Sequence, residues 1–431
     1  MACLVFAPWA FGCTEVWSIR ILEFLCILTG VTQGAAMWRD RPVVLRRPWL
    51  LLAGGLALGV VGFQLMNSMT IETLVEGSSF ELTGGNPAWP HTVCWDATLL
   101  QGVRWGCLFL FGMAVLHHLR TVDDARHFLM MIVFNALVLA LAGILFSLSG
   151  TDNLLGIREM RYGGSPFGPF VCKNNYAAYA NLALPLAIGL ALFPDMLSRT
   201  VHGREVSKTP RRIFWGFAAG VLLTSVFLSV SRAGGVVTLV LSCVMLVDYV
   251  IRRRVAADGW RAVRLLALTG AGAGLVVYLG GHKALAGGFE RLDLLDPTRM
   301  DVWKSVWGAV DDSPWWGFGL GTFRYIFPFY QPVQLVEFYD FAHSDWLEAL
   351  FDFGWLGVMP LAAGVCGMTF VLACDRFRRT SPFRRSLASC ALVSLGGCLA
   401  HAWVDFPLHI ASIQVTFAAI ASIGLSGRYL D

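Results

Sequence analysis

Apolar residues fill most of the chain, in runs of roughly 18 or more, the length that an α-helix needs to cross a bilayer. The runs fall at about 18–38, 48–67, 98–118, 126–149, 174–194, 212–229, 233–251, 262–281, 345–373, 385–404 and 408–427. Residues 2–11 are apolar but too short to span, which predicts a half-span or a true start upstream of Met1. The pattern therefore predicts an all-α polytopic membrane protein with about twelve transmembrane helices, forming one membrane domain over residues 1–431.

Composition agrees with this class, since 56% of the residues are hydrophobic, only 14% are charged and the mean hydropathy is +0.62. The eleven cysteines form no CxxC pair and no spacing typical of metal ligands, and most of them fall inside apolar runs. We therefore expect no metal site and no disulfide framework.

Basic residues are sorted between alternate loops. One set of loops and the C-terminal end hold 22 of the 33 Lys and Arg residues, and the other set holds nine. The rich loops are predicted to be cytoplasmic, together with both termini. Because the positive charges are sorted by membrane side rather than gathered on one face, the net charge of +4 does not indicate nucleic-acid binding.

The longest predicted outward loop covers residues 282–344. Within it, Thr298 is a candidate helix cap, and Val302, Val306 and Val310 recur at helical spacing together with Trp303 and Trp307. This pattern predicts a short amphipathic helix in the outer interface, with the tryptophans more typical of membrane-belt anchors than of sugar platforms. Trp315 and Trp316, in a Gly/Pro-rich turn, are better candidates for stacking on a sugar or a prenyl chain.

Three outward basic residues outside that loop are candidates for binding an anion. Lys173 opens a helix, where free N–H groups and the helix dipole favour negative charge, and Arg161 lies shortly before it. Arg161 fits an interfacial snorkelling residue equally well. Arg232 lies in the tight turn SVSRAGGVV between two spans, where a costly charge near the membrane favours a ligand over a contact with lipid phosphate.

His343 precedes Ser344 and Asp345, which are a plausible cap and first-turn acid for the next span. A histidine at a span mouth that faces several arginines can take a proton from an attacking hydroxyl. The residues alone slightly favour the other interpretation, a capping or interfacial histidine.

Four stretches of the chain, in order, resemble the O-antigen ligase and polymerase family (Wzy/WaaL-type membrane glycosyltransferases). They are RYGGSPFGPFVCKNNYAAYANLALPL, FLSVSRAGGVVTLV, TRMDVWKSVWGAVDDSPWWGFGLGTF and AHSDWLEALFDFGWLGVMPL, and they cover residues 161–360. The sequence departs from the usual family pattern at residues 172–175, where CKNN stands in place of a Gly-Asn-Pro-Asn-like run, and in its short first span.

The resemblance implies an enzyme at the periplasmic face of the bacterial inner membrane that uses no metal and no cofactor. Its donor would be an undecaprenyl-diphosphate-linked glycan, and its acceptor a hydroxyl of lipid A core in a ligase or of another lipid-linked glycan in a polymerase. Arg161 and Arg232 would bind the diphosphate, Arg299 and Lys173 would help, and His343 would activate the acceptor.

Two further classes of protein remain as alternatives. A small-anion transporter would suit an outward cationic vestibule, but it should show repeated halves and ionisable residues near the midplane, and the sequence shows no internal repeat. A structural scaffold would not explain why basic residues lie in three separate outward loops.

Overall fold

In the computed structural model, the described residues are the whole chain except 40–44, 74–79, 150–153, 155–164, 198–199, 202–203, 206–208, 254–296, 379–380 and 431. Arg161, the predicted span at 262–281 and residues 282–296 of the predicted outward loop thus lie outside the described residues. The remainder is almost entirely helical, as predicted for an all-α protein.

The described residues form thirteen α-helices, which we number in chain order. They are α1 (Ala2–Trp9), α2 (Val16–Arg39), α3 (Pro48–Met66), α4 (Trp95–His118), α5 (Val122–Ser149), α6 (Lys173–Leu192), α7 (Thr209–Leu228), α8 (Arg232–Arg253), α9 (Pro297–Asp312), α10 (Phe323–Tyr330), α11 (Asp345–Phe377), α12 (Pro382–His401) and α13 (Ala411–Ser426). Short 3-10 helices are Phe11–Cys13, Pro194–Met196, Pro407–His409 and Gly427–Tyr429. Two antiparallel hairpins pair β1 (Thr70–Thr73) with β2 (Phe80–Thr83) and β3 (Thr200–Val201) with β4 (Arg204–Glu205).

Eight of the described helices, α2 to α8 and α11, are long and apolar enough to cross a membrane. They match eight of the predicted spans, so a polytopic helical membrane protein is confirmed, whereas the count of twelve is not. The predicted spans at 385–404 and 408–427 correspond to α12 and α13, which are helices but do not meet the same standard of length and hydropathy.

Helix α6 is the centre of the helical bundle. Every residue from Asn175 to Leu192 is buried, and α6 packs against α7, α8 and α12. Close approach to α8 depends on Gly234, because a Cβ at that position would collide with the side chain of Ala177. Thr238 donates a hydrogen bond to Asn181 Oδ1 at 2.7 Å, so polar side chains join the two helices as well.

The described part of the predicted outward loop forms a small core of its own. Val302, Val306 and Val310 on α9 are buried against α10 and the first turns of α11, together with Phe318 and Phe351. The predicted apolar stripe at helical spacing is therefore present, but its valines pack into the protein and not into a membrane interface. The apolar stripe is therefore covered by a small hydrophobic core within the outward loop itself.

Helix α11 is interrupted at Gly354, whose φ of 61° and ψ of −176° are not helical. A turn from the outward loop, residues 313–321, supplies the hydrogen bonds that the break leaves open. Phe318 N donates to Phe351 O at 2.9 Å, and Trp355 N donates to Pro314 O at 2.8 Å. A break in a membrane-spanning helix is tolerated where protein groups satisfy the freed backbone.

Candidate active site

His343 lies in the turn just before α11, with a φ of 52° in the left-handed region that residues other than glycine rarely adopt. Hydrogen bonds fix the chain on both sides of it. Ala342 N donates to Glu348 Oε2 at 2.8 Å, and Asp345 N donates to Ala402 O at 2.9 Å. A strained conformation that costs about 1–3 kcal/mol persists only where its surroundings impose it, and such positions cluster at functional sites.

Asp405 is the acidic partner of His343. Its Oδ1 lies 3.6 Å from His343 Nδ1, an ion-pair distance that is longer than a hydrogen bond. Burial by itself would raise the pKa of Asp405, but the imidazole of His343 and the guanidinium of Arg299 hold that pKa below its usual range. The buried carboxylate therefore stays ionised beside a histidine whose side chain is 28% exposed.

Arg299 is attached to the same turn as Asp405. It lies on the first turn of α9, and its guanidinium donates to Val404 O at 2.6 Å. The contact joins the outward loop to the α12–α13 connection, 105 residues away in sequence. Arg299 thus adds a positive charge next to the His343–Asp405 pair.

Lys173 and Arg232 form a second positive group. They open α6 and α8, and Ser231 Oγ donates to Asn174 Oδ1 at 2.8 Å, which fastens the two helix starts together. The two side chains are close enough for their like charges to repel each other. An anion bound between two helix N-termini would relieve this repulsion.

Cys172 connects the two groups, because it precedes Lys173 and interacts electrostatically with both Asp405 and Arg299. Burial raises the pKa of the Cys172 thiol, the Asp405 carboxylate raises it further, and Arg299 acts in the opposite direction. The four candidate residues that the structure describes, Lys173, Arg232, Arg299 and His343, therefore gather at one end of the bundle. Arg161 lies outside the described residues.

Sequence reasoning missed two of the residues that build this site. Neither Asp405 nor His409 is among the candidates that the sequence indicates. His409 Nδ1 lies 2.6 Å from Asp345 Oδ1 and its Nε2 lies 3.0 Å from Glu348 Oε1, so it bridges two acids of α11. No local motif marks either residue; an acid and a histidine within four positions of an apolar C-terminal segment were the only signal.

His409 is positively charged in this arrangement. Burial opposes the charged form, but the carboxylates of Glu348 and Asp345 together raise the pKa of His409 well above its ordinary value. The bridge ties the 3-10 helix Pro407–His409 to the start of α11. It therefore holds the segment that carries Asp405 next to the turn that carries His343.

The site combines an imidazole beside an ionised carboxylate with three cationic side chains and two helix N-termini. Such a set can accept a proton from a hydroxyl and can stabilise negative charge on a phosphate group. Within the described part of the chain, no set of three His, Cys, Asp or Glu side chains is arranged to hold a metal ion.

A known protein family matches the part of the chain that carries three of the candidate site residues. No curated protein matches the chain significantly. The family model Wzy_C, described as O-antigen ligase, matches residues 217–362, about a third of the chain. That stretch includes Arg232, Arg299 and His343, and it confirms the resemblance seen in the sequence: this part of the chain is similar to the O-antigen ligase family.

Proposed function

We propose that this protein transfers a glycan from undecaprenyl diphosphate to an acceptor hydroxyl at the periplasmic face of the bacterial inner membrane. Lipid A core is the proposed acceptor, as in an O-antigen ligase. The observation that carries the proposal is the position of His343 and Asp405 beside Arg299 and the Lys173–Arg232 pair. The distribution of basic residues supports the periplasmic face and cytoplasmic termini.

In the proposed step, His343 Nε2 accepts the proton of the acceptor hydroxyl, because Nδ1 faces Asp405. The hydroxyl oxygen forms a bond to the anomeric carbon of the glycan. The bond between that carbon and the diphosphate oxygen breaks at the same time, and undecaprenyl diphosphate leaves with the bonding electron pair. Asp405 stabilises the imidazolium that forms.

The cationic residues act on the leaving group. Lys173 and Arg232 bind the diphosphate at the starts of α6 and α8, with Arg161 as a further proposed ligand from the segment that precedes α6. Arg299 offsets the negative charge nearest to the reacting carbon and keeps the Asp405 turn in place. These residues supply the charge stabilisation, so the proposed reaction needs no metal and no nucleotide.

A polymerase of the same family remains the second candidate. Both would use the same donor and the same base, and they differ only in whether the acceptor hydroxyl belongs to lipid A core or to another lipid-linked glycan. The family match covers both activities without separating them.

The proposal is tested with the full chain reconstituted in nanodiscs, using an undecaprenyl-diphosphate-linked glycan as donor. Lipid A core and a second lipid-linked glycan are offered separately as acceptors, with and without EDTA. We expect transfer to lipid A core that EDTA leaves unchanged. We expect His343→Ala to lower the rate by about 100-fold or more, which is the usual contribution of a general base.

Arg232→Lys separates the shape of the guanidinium from its charge. Lysine keeps the charge but cannot bind two phosphate oxygens in the planar manner of arginine, so we expect a rate between those of wild type and Arg232→Ala. Arg324→Ala is the matched control, since Arg324 pairs with Asp340 where both side chains are 52% exposed. Full transfer by both His343→Ala and Arg232→Ala would show that the site is wrongly assigned. Transfer to the lipid-linked glycan alone would make the protein a polymerase.

A further inference from the structure

A cavity of about 580 Å³ lies on the small outward core, and none of the residues of the candidate active site line it. Its walls come from β2 and from the segment that follows α9. Phe80 packs against Phe329 with ring centroids 4.8 Å apart and against Tyr330 at 5.8 Å, and these rings form an aromatic wall. The volume falls in the range of about 300–1,000 Å³ that is typical of small-molecule sites.

Trp315 and Trp316 line the same cavity and are held firmly by the backbone. Leu356 N, just past the break in α11, donates to Trp315 O at 3.1 Å, and Trp316 Nε1 donates to Ala88 O at 3.0 Å. Trp315 is nevertheless 59% exposed. A large exposed aromatic side chain on a fixed backbone is well suited to contact a ligand, because no backbone segment has to be ordered on binding.

Polar groups accompany the aromatic rings. The carboxylate of Asp312 accepts a hydrogen bond from Tyr330 Oη at 2.7 Å, and Glu81 is exposed at the edge of the cavity. His91 is only 1% exposed, and its Nδ1 lies 3.1 Å from Trp89 O. Its Nε2 has no hydrogen-bond partner among the described residues.

The chemistry of His91 makes it an acceptor. Burial lowers the pKa of His91, so the ring is neutral near pH 7. With the Nδ1 proton directed to Trp89 O, Nε2 is left as a buried acceptor that needs a donor. Nε2 has almost no accessible surface, so His91 contributes an uncharged, buried wall to the cavity and not a contact to a ligand.

We propose that this cavity binds sugar residues of a glycan chain, with a pyranose ring stacked on Trp315 and its hydroxyls donating to Asp312 and Glu81. The two carboxylates accept hydrogen bonds and repel negative charge, so the site takes neutral or basic sugars rather than acidic ones. A prenyl chain is disfavoured, because it would remove the two carboxylates from water without supplying any hydrogen-bond donor in its place.

The position of the cavity indicates which part of a glycan it binds. Arg299 and Asp312 lie at opposite ends of α9, and the thirteen residue steps from one to the other correspond to about 20 Å at 1.5 Å per residue. A sugar in the cavity therefore lies several sugar units from the reacting carbon. The identity of the glycan rests on the proposed function, whereas the existence of the site does not.

The experiment compares wild type, Trp315→Ala and Trp89→Ala, the last as the control because Trp89 is also 59% exposed and does not line the cavity. Neutral oligosaccharides of one and four repeat units are released by mild acid from the undecaprenyl-linked glycans of cells that make this protein. Their binding to the full chain in nanodiscs is measured by saturation-transfer NMR. Transfer from donors with one and with four repeats is measured in parallel.

We expect the four-repeat oligosaccharide to bind wild type and Trp89→Ala equally and Trp315→Ala at least about fivefold more weakly, as for loss of a contact worth about 1 kcal/mol. Transfer from the four-repeat donor should lose the same factor, while the one-repeat donor is unaffected. Equal binding to Trp315→Ala and wild type, or no binding to wild type, would overturn the inference. Binding that depends on Trp315 without any transfer would retain this site and refute the proposed function.

Discussion

Asp405→Asn is the most informative single change, because it removes one charge and almost no volume. At 3.6 Å, an imidazolium and a carboxylate attract each other by about 5 kcal/mol at an effective dielectric constant of about 20. The partial exposure of His343 and the neighbouring charge of Arg299 reduce this value to about 2 kcal/mol. His343 gains its charge only as the acceptor loses a proton, so the attraction to Asp405 stabilises the transition state and not the ground state. Asp405→Asn therefore removes most of this free energy from the stabilisation of the transition state. The expected rate is about 30-fold lower.

The assay is transfer from the undecaprenyl-diphosphate donor in nanodiscs at equal protein abundance, for Asp405→Asn, His343→Ala and the double variant. If Asp405 acts through His343, the double variant is no slower than His343→Ala, since residues that act as a unit are not additive. Asp340→Asn, an exposed carboxylate in a surface pair, is the control for charge removal. A double variant about 30-fold slower than His343→Ala would refute the coupling.

Of three other predictions, the one for Gly234 concerns transfer activity, and those for Gly354 and His409 concern stability, measured as the thermal exposure of buried cysteines to a thiol-reactive dye. Gly354→Ala should lower the unfolding free energy by about 2–4 kcal/mol, because the added Cβ combines a positive φ with a collision against the turn at 313–321. Gly396→Ala is the control, since a Cβ there meets open space and should change the unfolding free energy little. Gly234→Val should separate α6 from α8 and abolish transfer even where the protein folds; retained wild-type activity would contradict the role of that contact. The pKa of His409 is raised in the folded state, so the stability that its charge contributes is complete below about pH 6.5 and is lost as the pH rises through the pKa of the folded state. His409→Gln should therefore reduce the loss of stability at alkaline pH. An unchanged dependence of stability on pH would exclude the bridge.

The membrane helices could be predicted from the sequence because their length and hydropathy are local properties. Eight predicted spans coincide with described helices to within a few residues. The break in α11 could not be predicted, because GWLGVMPL continues an apolar run without interruption. Only the turn at 313–321, which lies before α11 in the chain and packs beside it in space, makes a helix break at Gly354 stable.

The candidate site divides in the same way. Arg232 is a candidate because charge in a tight turn between two spans is costly, and Lys173 because it opens a helix. His343 is a candidate mainly through the family resemblance, since the residues alone slightly favour a capping role. Asp405 lies 62 residues after His343, and nothing in the local sequence shows that the two side chains meet. The inward packing of the α9 stripe was missed for a related reason: helical spacing indicates that one face is apolar, but not whether lipid or protein covers it.

The first part of α11 connects the two sites that we propose. Residues 345–353 form a half-helix of about 13 Å at 1.5 Å per residue. Near its start, Glu348 accepts the hydrogen bond from Ala342 N that fixes the His343 turn. At its end, the backbone around the helix break forms hydrogen bonds with the turn at 313–321, which carries Trp315. The reacting end of a glycan and its distal sugars would thus be held by one rigid element. The distance between them would be set by the protein and not by the flexible chain, which is the condition for binding at the far site to favour reaction at the near one.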